Sequence, residues 1–406
     1  MPENNGPSRY SLGKTSLMPQ EEKLETGKKK EKLIIGIPKE NKEFESRVSL
    51  TPEAVELLVG NGHEIIIESG AGLNANYSDK DYSECGGLII TNKIDVFRCD
   101  IVLKIAPPTI DEIELLKNNA VLISSLQFQT QSDEYIRKLI AKKITAISFE
   151  GLKDKDNCYP VIRSMSEIAG TTSVLIAAEY LSNVHNGKGV LLGGVTGITP
   201  TEVIILGAGT AAEYAARAAI GLGAFIKVFD HSISKLKRLQ LALSQTLFTS
   251  VFHKRVVEKH LKSADVVIGA MHLGDNGPQF LVTEEMVQKM KRGSVIIDLS
   301  IDQGGCIETS ECRNYSDPSY IKHGVIHYCV PNIASRVART ASIALSNVFN
   351  PLLFSIADAG GVQKLLKEDL GFRHGVYIYN GILTNSSIGN YFGIPSKDID
   401  LLMAAF

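Results

Sequence analysis

The stretch Thr201 to Asp230, TEVIILGAGTAAEYAARAAIGLGAFIKVFD, constrains the fold more tightly than any other part of the chain. Val203 to Leu206 is an apolar run long enough for a buried parallel strand and too short for a helix. It stops at Gly207-Ala-Gly209-x-x-Ala212, a glycine turn of the G-x-G-x-x-G/A kind. Good helix formers follow, up to Gly221 and Gly223, where glycine can take the left-handed C-terminal cap. A second apolar run, Phe225 to Phe229, ends on Asp230. Strand, glycine turn, helix, strand and acid in register predict a dinucleotide-binding βαβ unit.

Each residue type has a physical task there. Gly207 permits the tight turn, Gly209 lets the backbone approach a pyrophosphate, and Ala212 keeps helix and strand close. The pyrophosphate would rest on unpaired N–H groups at the positive end of the helix dipole. Asp230 would accept from the adenosine ribose hydroxyls and repel a 2′-phosphate, which favours NAD over NADP. Lys235, Lys237 and Arg238, close beyond it, weigh the other way.

At 406 residues the chain is long enough for two domains and a large core. A net charge of −2 gives no basic footprint for nucleic acid. The six cysteines show no C-x-x-C spacing and read as reduced thiols; Cys306 and Cys312 could ligate a metal, but none is expected. There is no run of 18 apolar residues, and the polar first 32 residues have no apolar signal core, so a cytoplasmic protein with a polar N-terminal arm is expected.

Further strands are predicted at Leu33–Ile37, Glu64–Glu68, Ile101–Ile105, Val121–Ser125 and Ile144–Phe149. Helices are expected to open at Thr51-Pro52 and Asp111. From Ser166 a helix leads into the nucleotide unit, which continues with strands at Ala264–Ala270, Ser294–Leu299 and Val325–Val330. A long helix from about Ala334 to Asp358 should return the chain to the first domain. The expectation is α/β: two doubly wound, Rossmann-like domains with a cleft between them. The nucleotide domain, 166–339, is inserted in a discontinuous substrate domain, 33–165 plus 340–406.

GIPKENKEFESRVSLTP (Gly36–Pro52), ESGAG (Glu68–Gly72), MSEIAG (Met165–Gly170), GAGTAAEYAAR (Gly207–Arg217), SIDQGGC (Ser300–Cys306) and YCVPNI (Tyr328–Ile333) together resemble the alanine dehydrogenase/pyridine nucleotide transhydrogenase α-subunit family. The resemblance implies reversible deamination of L-alanine to pyruvate and ammonium with NAD, and homo-oligomers, usually hexamers. It implies that Arg47 holds the substrate carboxylate, as a guanidinium suits, and that Asp302 acts as general base beside the nicotinamide. Ser166 matches a residue near the cofactor phosphates, Lys235 one near the adenosine and Asn332 one near the nicotinamide.

Two family residues are missing. Ala106 stands where the family has a substrate-binding Lys, and Lys104, two residues back on the same strand face, could reach the same pocket. Gln127 replaces the catalytic His; it can hydrogen-bond a carbonyl but cannot carry a proton near neutrality. His272, just past a nucleotide-domain strand, could take over acid–base work, while His63 reads as a turn residue. These departures keep three alternatives in view: an enzyme for another amino or imino acid, saccharopine-like ones included; a transhydrogenase-like subunit; and a non-catalytic NAD-responsive protein. Against the transhydrogenase stand the lack of a membrane anchor and of that family's RQD loop.

Overall fold

The computed structural model describes residues 30–41, 43, 45–271 and 280–405. Its first sheet contains β1 (Ile34–Ile37), β2 (Glu64–Glu68), β3 (Leu88–Ile90), β4 (Ile101–Leu103), β5 (Val121–Ser124) and β6 (Thr145–Ser148). The second contains β7 (Glu202–Leu206), β8 (Phe225–Asp230), β9 (Phe248–Val251), β10 (Val266–Gly269), β11 (Val295–Asp298), β12 (Ser319–Lys322) and β13 (Val325–Tyr328). The chain then returns to the first sheet with β14 (Val376–Tyr379) and β15 (Ile382–Leu383).

The strand orders are β15-β14-β6-β5-β4-β1-β2-β3 and β12-β13-β11-β10-β7-β8-β9. Each has six parallel strands in doubly wound order, plus antiparallel additions at one end. Order reverses between β1 and β4 in one sheet and between β7 and β10 in the other. Ligands of such sheets bind beyond the carboxyl ends of the strands at that reversal.

Both faces of both sheets are covered, which is why the strands read as unbroken apolar runs. Alternate residues serve opposite faces. Ile101 and Leu103 pack with Leu345, Phe349 and Leu353 of the helix Ala338–Ala359. Val102 packs with Tyr135 and Leu139 on the other side. In β7, Val203 and Ile205 face Ala212 and Ala216, while Ile204 and Leu206 face Val257 and Leu261.

Two long helices join the lobes. Pro160–Leu181 begins at a proline in its first turn, six residues before the expected start at Ser166, because Pro160 suits that position and no breaker follows. The second, Ala338–Ala359, is entered through a 3₁₀ turn, Ile333–Val337, and closed by Gly360 at φ +83°. The span Ile333–Ala359 is long and apolar enough to cross a membrane by length and composition. Here its Leu345, Phe349, Leu353 and Ile356 are buried in the first core.

Candidate active site

The nucleotide end is built as the glycine turn predicts. Gly207 has φ +114°, and a Cβ there would meet the Ala270 carbonyl oxygen at 2.3 Å, so only glycine fits between β7 and β10. Gly209 is the N-cap of the helix Thr210–Gly221, and no side chain caps that end. A Cβ on Gly209 would meet nothing within 4 Å, which leaves the approach to the helix end open to a phosphate. Ala212 is fully buried beneath. Asp230, at the end of β8, accepts from the Ala208 amide at 2.8 Å and the Ser232 amide at 2.7 Å. Its carboxylate thus fixes the glycine turn. Arg238 donates to the Ala208 carbonyl at 3.2 Å and so steadies the same turn. Lys235 lies in the first turn of the helix Ile233–Leu243, its amide bonded to Ser232 Oγ at 3.3 Å.

The substrate end starts from the loop after β1. Three serine hydroxyls hold its backbone: Ser335 accepts from the Ser46 amide (2.7 Å), Ser342 from Val48 (2.9 Å) and Ser346 from Thr51 (2.8 Å). Ser342 and Ser346 are four apart on one helix and share a face. Arg47 is thereby fixed in place. Its Nε and Nη2 donate side-on to Glu45 at 2.8 and 2.6 Å, and Nη1 reaches Met165 Sδ at 3.1 Å. Glu45 also accepts from Asn332 Nδ2 at 2.7 Å and Ser335 Oγ at 3.0 Å. Burial alone would raise the Glu45 pKa; Arg47 outweighs it, and the carboxyl stays below its usual range. Of the five guanidinium N–H groups two go to Glu45 and one to the Met165 thioether, which leaves two on Arg47, one on each Nη.

Asp302 comes from the other lobe, on the 3₁₀ turn Ile301–Gln303 after β11. It accepts a backbone hydrogen bond from Asn332 and lies in the field of Arg47. Asp302 keeps an exposed face, and the protein packed around the rest of the residue takes water away from it. That desolvation raises its pKa to about 6, against the Asn332 bond and Arg47. Asn332, at φ +57°, bridges Glu45 and Asp302, and its carbonyl accepts from Tyr315 at 2.6 Å. Beneath, Asp298 ties the loop together by accepting from Ser300 N (3.0 Å), Cys306 N (3.1 Å) and Ser310 Oγ (2.7 Å).

Other candidates land differently. Lys104 is buried and ion-paired with Glu40, itself buried and also bonded to the Ile105 amide at 2.6 Å. Desolvation lifts the Glu40 pKa to about 7 despite the ammonium. The Lys104 ammonium is thus held by a carboxylate of the protein itself. Gln127 is exposed in the loop after β5, at φ +41°. Ser166 follows Met165, the residue against Arg47, on the helix Pro160–Leu181. His63 accepts from the Leu33 amide at 3.3 Å, a turn residue. His272 lies outside the described residues.

Glu150 was not singled out by any motif. It sits on the 3₁₀ turn Phe149–Gly151 after β6, in the fields of Arg47 and Asp302. The signal available in sequence was an acid directly after an apolar strand, at the carboxyl end where such sheets hold ligands.

The sequence profile described as "Alanine dehydrogenase/PNT, N-terminal domain" matches residues 36–169, and "Alanine dehydrogenase/PNT, C-terminal domain" matches 173–386. An alanine dehydrogenase of Staphylococcus saprophyticus is 37% identical over 369 residues, 91% of this chain and 99% of the relative. "Alanine dehydrogenase 2" of Staphylococcus aureus is 36% identical over 90% of this chain and 98% of its own. Among solved structures, an L-alanine dehydrogenase superposes with TM-score 0.83 at 34% identity, covering 89% of this chain and 99% of its own. A transhydrogenase from Sinorhizobium meliloti does so with TM-score 0.74 at 25% identity, covering 87% and 99%. With both halves matched by family profiles and nearly the whole chain by its relatives, the chain belongs to the alanine dehydrogenase/PNT family of NAD-dependent oxidoreductases.

Proposed function

We propose that the chain interconverts L-alanine and pyruvate: L-alanine, NAD⁺ and water give pyruvate, ammonium, NADH and a proton. The observation that carries the proposal is that Arg47 from one lobe and Asp302 from the other lie close enough for the guanidinium to act on the carboxyl. NAD, when bound, supplies the hydride acceptor. The turn Gly207–Gly209, packed on Ala212, and Ser166 would hold its phosphates, with Asp230 and Lys235 at the adenosine and Asn332 at the nicotinamide.

The free Nη protons of Arg47 would take the substrate carboxylate. Displacing a thioether costs little, and the buried setting strengthens a charge-assisted pair. The carboxylate of Asp302 would take a proton from the water that attacks the imine carbon in deamination, or from the nitrogen as it adds to the carbonyl carbon in the reverse direction. Ala106 leaves that wall of the pocket to a methyl group, and Gln127 contributes at most a hydrogen bond. In this proposal the substrate lobe is 33–165 plus 340–406, the nucleotide lobe is 166–339, and the chain assembles as a homo-oligomer.

Following NADH absorbance tests it. Pyruvate with ammonium should consume NADH, and L-alanine with NAD should form it. Binding of NADH without turnover on any amino- or keto-acid pair would instead favour the non-catalytic alternative. Asp230→Ser should weaken NADH about tenfold or more, as expected for loss of a charged acceptor, and should narrow the preference over NADPH. Fluorescence titration of both nucleotides measures this.

A further inference from the structure

We propose that Glu150 is a catalytic residue of this cleft: as a carboxylic acid it protonates the oxygen of the keto acid while nitrogen adds to the neighbouring carbon, and in deamination it takes that proton back. The proposal rests on the amino-acid dehydrogenase function above.

Four carboxyls surround the site, and three are committed. Glu40 is closed onto Lys104 and the Ile105 amide. Glu45 receives Arg47, Asn332 and Ser335. Asp302 holds the backbone of Asn332. Glu150 has electrostatic neighbours, Arg47 and Asp302, but no hydrogen-bond partner among the described residues. It is therefore the carboxyl whose O–H is free for a bound molecule. It is also on the substrate side, at the end of β6 beside β5, whereas Asp302 approaches from the nucleotide lobe. Opposite approaches suit an acid and a base that act on two atoms of one carbonyl.

The surroundings keep the proton available. Burial first, and the Asp302 charge as well, hold the Glu150 pKa up at about 7, against the pull of Arg47. The helix Pro160–Leu181 packs on this turn, and its Arg163 and Glu167 are paired with each other at 3.3 Å. His374 bonds the Gly151 carbonyl at 3.2 Å and is spent there. Gln127 cannot carry a proton.

The step balances. Glu150–COOH, NH₃ and the C=O group give C=NH₂⁺, water and Glu150–COO⁻. The C–N bond forms and the C–O bond breaks, the departing oxygen leaving with one proton from Glu150 and one from nitrogen. Hydride from NADH then reduces the iminium carbon, as the parent reaction requires.

The test uses the full-length enzyme with saturating pyruvate at fixed free ammonia. Glu150→Gln should lower kcat about 100-fold or more, the range for a lost general acid, and leave NADH affinity unchanged. The descending limb of the kcat–pH profile near neutrality should vanish in E150Q and survive, at lower kcat, in E150D. Added formate should partly restore E150A and not E150Q. An active wild type with an equally active E150Q overturns this proposal alone, as does a slow E150Q with the limb intact and E150A unaided by formate. A wild type inert toward pyruvate and ammonium overturns the parent function and this step with it.

Discussion

Asp302→Asn is expected to lower kcat in both directions by roughly two to four orders of magnitude, the range for removal of a general base. The substitution keeps the shape and one acceptor oxygen, so the bond from the Asn332 backbone survives and only the basic charge is lost. The pH dependence separates this from a structural effect. The Asp302 pKa is raised to about 6, chiefly by desolvation, so wild-type activity should fall as pH drops through about 6 and the base fills with a proton. The variant's residual rate should be flat there. Linkage fixes the sign of the stability effect. A carboxyl that holds its proton more tightly folded than unfolded favours the fold at low pH, and that advantage is lost as pH rises through about 6. D302N, always neutral, should therefore melt no lower than wild type at neutral pH. A variant that loses activity and melting temperature together would assign Asp302 to the loop and not to the chemistry.

How much of this was legible in the sequence depended on the range of the interaction involved. The parallel strands announce themselves because both faces are buried, and β7, β8 and the glycine turn were bounded to within a residue. The edge strands β3, β9, β12 and β15 were not. Leu88 and Phe248 in them are exposed, and short edge strands take their conformation from the neighbour they pair with. Arg47 and Asp302 could be found because each lies inside a dense motif. The serines that hold the Arg47 loop could not, since Ser46 and Ser335 are separated by 289 positions. Lys104 shows the same limit from the other side. β4 ends at Leu103, so strand alternation does not carry on through Lys104 and Ala106, and the ion-pair partner Glu40 stands 64 residues away on another loop. Glu150 needed the order β6-β5-β4-β1 before its place beside Arg47 had any meaning.

Arg47→Lys is expected to raise the Michaelis constant for pyruvate about 100-fold, roughly 2.8 kcal/mol at 1.4 kcal/mol per tenfold, with NADH affinity unchanged. Lysine has one point charge where arginine has a planar fork, and the fork does two things here. Its side-on edge holds Glu45, and its remaining Nη protons would hold the substrate carboxylate. An ammonium can satisfy Glu45 or a substrate carboxylate but not both in the same geometry, and Glu45, buried and tied to Asn332 and Ser335, should win. The fold then survives while the substrate loses its clamp. Arg47→Ala sets the contrast. It strands Glu45 as a buried carboxylate without a cation, a change that costs about 3–5 kcal/mol in comparable pairs. That variant should melt well below wild type and lose the Asn332 bridge to Asp302, so its kcat should fall as well. If R47K instead weakened NADH and pyruvate equally, Arg47 would be a brace between the lobes, and the carboxylate would have to be held elsewhere.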